Sequence, residues 1–467
     1  MGQSPRSLRY ERRRRPPLAR VSLALVGRCI CRNRRAHEQS PDEPIADVVE
    51  SLRAVPRASA MALSPNKSSF PEVRLLVCCA HPQLQPAVAE EIRNLARGPI
   101  DCDVLLSKAA EHSVTSPLCR QLPAAASELI EPARIEQLKE IERAIAMRAL
   151  VHAAELVRIM NQFGSRGIQA IPYKGPVLAV QAYGDVGFRE FEDLDIVLRH
   201  RDIAAASEAM TLLGYNPKFP ALSSETPPSI VPAEYMYIHQ DESRQLLVEL
   251  HTERTLRHFP VSPDLDDLAS RLAPVSIGGH GLQTFAPEDT FVLLCIHCSK
   301  HFWERLVWIA DIAAFAHSHA ALDWDLIFRR AQSLRANRMV AISLELAFRL
   351  FDLPLPRDVD ARVRCDSVAN SIAAEIERRL LARQPDELGA VARFHLRRHM
   401  LQGFGEGWRY SLRLATLPSD DDWSAMKLPS FLAPLYPALR PFRLLRKYGA
   451  AGANSPRESF ASKKASN

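Results

Sequence analysis

A chain of 467 residues is long enough for two or three domains, and at 47% hydrophobic residues it can bury a sizeable core. Its formal charge of +6 would suit a polyanion-binding protein, but eleven arginines fall in the first forty residues against only Glu11 and Glu38. The rest is close to neutral, so nucleic acid is not an expected partner, and no run reaches the ~18 apolar residues of a membrane span.

Residues 1–44, most of an expected extension over 1–60, carry no amphipathic period. Their one apolar run, Val21 to Val26, is closed by Arg28 instead of a small-residue cleavage site. A disordered extension or an overcalled start is expected there, with the chain proper beginning near Met61. The nine cysteines are scattered. The one C-x-x-C beyond the head, Cys295 and Cys298, lies in an apolar helical run without a second pair at metal spacing, so zinc is not expected. That cysteine usage suits a reduced, cytoplasmic protein.

From Val73 to about Gln121 the pattern is helical, and a longer helix is predicted from about Ile130 to Phe163, capped by Gly164. The run "IQAIPY" is β-prone and ends in a Lys174-Gly175 turn. "PVLAVQAYG" then reads as a helix opened by Pro176 and closed by Gly184. "DLDIVL" is a strand, and "DIAAASEAMTLLGY" a helix with Asp202 as N-cap. "AEYMYIHQ" and "RQLLVELHTE" alternate as two strands joined by the tight connection "DES". Beyond about Pro260 the chain reads as almost wholly helical, up to a polar tail from Gly449. The fold class is therefore α+β, a small mixed β-sheet core flanked by helical segments. The expected divisions are 61–130, an N-terminal helical segment; 131–258, the α+β core; 259–448, a C-terminal helical domain; and 449–467, a disordered tail.

Residues two apart in a strand share a face. Asp193 and Asp195 thus share one face of "DLDIVL", about 7 Å apart along the backbone, while Leu194, Ile196 and Leu198 share the other. In "QLLVELHTE" the alternation puts Leu246, Val248 and Leu250 on one face and Leu247, Glu249 and His251 on the other. If the two strands are neighbours, Glu249 joins the aspartates. Three converging carboxylates repel unless a divalent cation neutralises them, and two hard cations held this way suit displacement at a phosphate. Upstream, Lys174-Gly175 leads into a helix N-terminus, which together form a phosphate cradle.

In this order the residues resemble the DNA polymerase β-like nucleotidyltransferase superfamily, and within it the bacterial uncharacterised nucleotidyltransferase family. The resemblance rests on Lys174-Gly175, Tyr183-Gly184-Asp185, Arg189 through Leu198, and Val248 through His251. It continues at His297, Lys300, His301 and Trp303, then Asp311, "PSDDDW" and "RPFRLLRKYG". Two positions depart from the superfamily pattern: Pro176 follows the phosphate-binding glycine, and Glu192 stands where a small residue is common.

The resemblance implies metal ligation and catalysis by Asp193, Asp195 and Glu249, with two Mg2+ ions, and nucleoside triphosphate binding by Lys174, Gly175 and Arg189. Arg189 could equally balance the nearby acids, and His251, at a strand end, is ordinarily structural. "FVLLCIHCSKHFWERLVWIADIAAFA", read as one helix, gathers His297, Lys300, His301, Glu304, Trp308 and Asp311 within about a third of its circumference. That stripe is either a buried face satisfied by its neighbours or a second wall against the nucleotide. The implied activity moves a nucleoside monophosphate from a triphosphate to an acceptor, whether small molecule, sugar, peptide or protein, and releases pyrophosphate. A nucleotide- or partner-binding module without turnover is the competing expectation.

Overall fold

A computed structural model describes residues 70–218, 234–240, 245–252, 263–382, 388–401 and 404–416, with single positions up to 443. The expectations for the head, for "PSDDDW", for most of "RPFRLLRKYG", for the "DES" connection and for the tail lie outside the described residues.

Helices α1 (Pro71–Cys79), α2 (Pro86–Ala96), α3 (Cys102–Glu111) and α4 (Thr115–Ala126) precede the long α5 (Pro132–Ser165). Gly164 does not cap α5. The helix continues through it, and Gly167 takes the left-handed backbone instead, at φ 69°. Strand β1 (Ala170–Pro172) leads into α6 (Gly175–Tyr183), which Gly184 closes at φ 70°. Next come β2 (Asp193–Leu198) and α7 (Ile203–Leu212). Asp202 sits at the N-cap of α7 without a side-chain cap bond, because a 3-10 turn over His200–Asp202 runs straight into the helix.

The short β3 (Asn216–Pro217), β4 (Glu234–Gln240) and β5 (Gln245–His251) complete a five-stranded sheet of order β1-β2-β5-β4-β3. Only β2 and β5 pair in parallel; the other pairings are antiparallel, so the sheet is mixed as predicted.

The chain after Pro260 departs from the expected helical pattern. After α8 (Leu265–Ala269) a hairpin of β6 (Ala273–Ile277) and β7 (His280–Thr284) intervenes. Its two-residue turn is Gly278-Gly279, at φ 56° and 83°, the sign a tight primed turn requires.

Helices α9 (Pro287–Lys300), α10 (Leu306–Ser318), α11 (Trp324–Ser333), α12 (Asn337–Phe351), α13 (Arg357–Cys365), α14 (Ser367–Leu380), α15 (Ala390–Met400) and α16 (Phe404–Thr416) follow. The single helix expected across His297 to Asp311 is two helices. Phe302 and Trp303 adopt left-handed backbone at φ 56° and 51°, which L-residues take only when packing imposes it. The packing is visible: both are buried, and Trp303 Nε1 donates to Ser343 Oγ at 3.0 Å.

Burial follows the alternation closely. Leu194, Ile196 and Leu198 share a hydrophobic cluster with Leu246, Val248 and Leu250, together with the second half of α5 and residues of α7. A second, larger cluster joins α1, α3 and α4 to α9, α10, α12 and α14. Helix α6 touches both, Val177 in the sheet cluster and Leu178 in the helical one. The start of α6, beside the edge of the sheet, is thereby held against both cores.

Candidate active site

Parallel pairing of β2 with β5 sets Asp195 opposite Glu249 and Asp193 opposite Leu247. Paired residues of neighbouring strands face the same side, so both aspartates and Glu249 lie on the face away from the hydrophobic cluster of the sheet. Antiparallel β4 adds Glu234, opposite His251. Four carboxylates and one imidazole therefore share one patch of sheet.

Their partners are unequal. Lys174, the N-cap residue of α6, is buried and reaches Asp195 Oδ1 with Nζ at 2.7 Å. His251 Nε2 meets the same oxygen at 2.7 Å and lies 3.6 Å from Glu249 Oε2. His251 Nδ1 is 3.8 Å from Glu234 Oε1, and Lys300 Nζ holds that oxygen at 2.8 Å.

The protonation balance follows from these contacts. Burial alone would raise Asp195, but Lys174 and then His251 hold it well below the usual carboxylate range. Burial pushes Asp193 up, and the negative charge of Asp195 pushes it further. Glu249 is raised by burial and by both aspartates, only partly offset by His251. Glu234 is lowered, against its burial, chiefly by Lys300. Lys174 is raised despite burial because Asp195 holds its proton. Two carboxylates, Asp193 and Glu249, thus lack a cation of their own.

The residues fit a bound divalent ion. One donor atom each from Asp195, Glu249 and His251 lies within 4.8 Å of the others, and this is the one such group of three among the described residues. Asp193 borders the group with a carboxylate whose charge nothing fully neutralises.

Gly175 is required on two counts. Its φ of 53° is left-handed, and an added Cβ would sit 3.3 Å from the Asp193 backbone carbonyl oxygen. The glycine lets the turn before α6 lie directly on the first residue of β2. Pro176 occupies the first turn of α6, where its missing N–H leaves no gap in the helix but removes one donor from an anion cradle. Glu192 is exposed.

Arg189 lies apart from this group. It is buried, and its Nε donates to both carboxylate oxygens of Asp311 at 2.9 and 3.0 Å, while Tyr183 Oη donates to Asp311 at 3.0 Å. Of the second-wall residues, Lys300 reaches the carboxylate patch through Glu234 and Asp311 reaches Arg189. His297 and His301 pack together at 4.8 Å between ring centroids and against Trp308 at 5.7 and 4.9 Å. Burial, with Lys174 nearby, keeps His297 well below its ordinary value; burial, Lys300 and Lys174 take His301 to about 4.

Sequence reasoning did not find Glu234. Alternation puts it on one face of β4, and the short connection to β5 carries the signal that pairs it with His251.

The family described as "Uncharacterised nucleotidyltransferase" matches residues 98–352. No curated protein matches the chain. Among solved structures, it is similar to an antigenic nucleotidyltransferase-like protein from Paracoccidioides brasiliensis at 13% identity and a TM-score of 0.30, covering 47% of this chain and 92% of that one. It is also similar to the antibiotic-resistance factor ANT(2'')-Ia at 10% identity and a TM-score of 0.27, covering 40% and 91%. The family match takes in more than half of the chain, including the Lys174-Gly175 turn, both aspartates, Glu249 and the α9–α10 pair, and the protein belongs to the uncharacterised nucleotidyltransferase family.

Proposed function

We propose that the protein is a Mg2+-dependent nucleotidyltransferase that moves a nucleoside monophosphate from a nucleoside triphosphate to an acceptor with release of pyrophosphate. The observation that carries this reading is the in-register parallel pairing of β2 and β5, which sets Glu249 beside Asp195 on the face that also bears Asp193. Membership of the family supports it independently.

Asp193, Asp195 and Glu249 hold the metal, which when bound neutralises the carboxylates and stabilises charge on the phosphates. Lys174, at the N-terminus of α6, orients the triphosphate. An acceptor oxygen attacks the α-phosphorus, and the bond from that phosphorus to its α,β-bridging oxygen breaks. The electron pair leaves with pyrophosphate, and the acceptor's proton passes to Glu249 as general base. Arg189 belongs to the triphosphate site only through its charge, felt at Asp193, since its guanidinium is bonded to Asp311.

The acceptor is a small molecule, sugar, peptide or protein side chain; the near-neutral body disfavours nucleic acid. No helix of the described residues is long and apolar enough to cross a membrane. The described cysteines are all free, which suits a reducing, cytoplasmic compartment for this enzyme.

Labelled triphosphates incubated with the purified protein and cell extract test the reading. Label transfer with pyrophosphate release is expected. Glu249→Gln should slow it at least 100-fold while leaving triphosphate affinity within about threefold, because binding rests mainly on Lys174 and the aspartates.

A catalytically inactive nucleotide- or partner-binding module is the second reading. It is favoured by Pro176, which withdraws a donor from the cradle, and by the commitment of Lys174 to Asp195. Metal-dependent triphosphate binding without pyrophosphate release under every acceptor condition would establish it in place of the first.

A further inference from the structure

His251 poses a problem of protons. It is buried, its Nε2 is in hydrogen-bond contact with Asp195, and its Nδ1 has no hydrogen-bond partner among the described residues. Nδ1 nevertheless faces a carboxylate, with Glu234 Oε1 at 3.8 Å.

A neutral imidazole carries one N–H. With the proton on Nε2, the lone pair of Nδ1 confronts Glu234. With the proton on Nδ1, the lone pair of Nε2 confronts Asp195 at 2.7 Å. The first form leaves the buried Nδ1 without a donor, 3.8 Å from a carboxylate, and the second sets an acceptor against an acceptor at 2.7 Å. An imidazolium resolves this with a second proton, and a cation beside Nε2 resolves it equally. In the latter case Nδ1 keeps its proton and turns it toward Glu234, which Lys300 already holds in place.

We infer that His251 Nε2 is a metal ligand, completing with Asp195 and Glu249 a mixed nitrogen–oxygen donor set, and that Glu234 is the carboxylate behind the imidazole that fixes its tautomer. This rests on the proposed nucleotidyltransferase site and narrows its ion. The three donor atoms already lie within 4.8 Å of one another, so a side-chain adjustment suffices. A carboxylate receiving the second N–H of a ligating histidine is the usual outer arrangement at such sites.

The donor set has a consequence for the ion. Mg2+ prefers oxygen ligands and keeps its waters, whereas an imidazole nitrogen favours Mn2+ and its later neighbours. The site should therefore bind Mn2+ at least tenfold more tightly than Mg2+, and His251→Gln should erase most of that preference.

The experiment uses Mn2+ alone as probe, on the full chain at neutral pH. Titration followed by electron paramagnetic resonance gives the affinity, and electron spin-echo modulation reports whether a nitrogen is bonded to the manganese. The expected result is one coupled nitrogen, whose pattern changes when the protein is grown with 15N-histidine, a comparison that needs no substitution. In His251→Gln the ion should remain, more weakly bound and without nitrogen coupling. In Glu234→Gln the coupling should persist with affinity reduced about tenfold.

Manganese that Asp195→Asn displaces but that shows no histidine nitrogen in the native protein would overturn the ligand assignment and leave the carboxylate nucleotidyltransferase reading standing. Absence of any Asp195-dependent manganese would overturn both.

Discussion

Two charge clusters draw residues from α6, β2 and the chain between them. One is Arg189 with Asp311 and Tyr183; the other is Lys174 and His251 with Asp193, Asp195, Glu249 and Glu234. In the first, one cation meets one carboxylate, both oxygens accept, and a tyrosine donates to the same group. In the second, carboxylates outnumber fixed cations, one imidazole nitrogen lacks a partner, and two acids are pushed up by burial and by neighbouring aspartates. A balanced cluster is complete as it stands and joins the α10 helix to the loop that feeds β2. An unbalanced one retains a demand for positive charge, and that demand is what sets the proposed site apart. Both sit at family-like positions, so the charge balance, not the residue types, separates joint from site.

The largest effect should come from Asp195→Asn. Transfer should fall by at least 10³-fold in a pyrophosphate-release assay, since the residue is a central ligand in the proposed site. The structure adds a cost that clustering alone does not suggest. Losing repulsion among three acids favours the variant, but Lys174 is buried against Asp195 and would be left unpaired. The second effect is the larger, so the metal-free variant should also melt lower than native protein. An unchanged transfer rate would move the site elsewhere.

Arg189→Met probes the balanced cluster and should cost about 3–5 kcal/mol in urea denaturation, because Asp311 would remain buried without its cation. The double substitution Arg189→Met with Asp311→Leu should recover most of that loss, as a well-packed apolar pair often replaces a buried ion pair at little cost. No such recovery is expected for a pair drawn from the other cluster when metal-bound activity is the readout. Gly175→Ala lies between the two extremes. Left-handed backbone costs an L-residue about 1–2 kcal/mol, and the new methyl would press on the Asp193 carbonyl. Metal affinity should fall together with stability.

The sheet's two faces were legible because alternation is a local property. Leu194, Ile196 and Leu198 had to turn away from Asp193 and Asp195, and burial of the inner face excluded a register slip at Glu249. The order of β1, α6 and β2 was equally readable from Gly184 and the Lys174-Gly175 turn. What escaped depends on partners distant in sequence. The helix across His297 to Asp311 has an unbroken apolar pattern, yet burial of Trp303 against Ser343 breaks it at Phe302. Asp311 consequently meets Arg189 from a helix of its own. The β6–β7 hairpin had a local signal in Gly278-Gly279, outweighed by the helical stretches on both sides. The commitment of Lys174 to Asp195 follows from the close approach of α6 to β2, which no spacing along the chain encodes.

The smallest effect, and the one that sharpens the comparison most, is that of Asp193→Asn in metal-free protein. Burial, then Asp195, raises the proton affinity of Asp193 above that of the unfolded chain. Between the unfolded value and this higher one, the folded protein binds more protons than the unfolded chain. Stability is therefore lost as pH rises through that window, and the penalty persists at pH 7. Glu249 acts in the same direction. Asp195 and Glu234 act oppositely: their folded values are lowered, so their contribution is present above the unfolded value and is lost as pH falls. Asparagine at 193 removes the first kind of penalty without stranding a cation, because Lys174 bonds Asp195 and Arg189 bonds Asp311. With chelator present, the variant should gain on the order of 1 kcal/mol or less at pH 7 and show a flatter loss of stability above the ordinary aspartate range. Adding divalent metal should reverse the ranking, raising the melting temperature of native protein more than that of the variant. A variant destabilised in chelator, with no reversal on adding metal, would mean that Asp193 is already neutralised, and the contrast between the two clusters would fail at that residue.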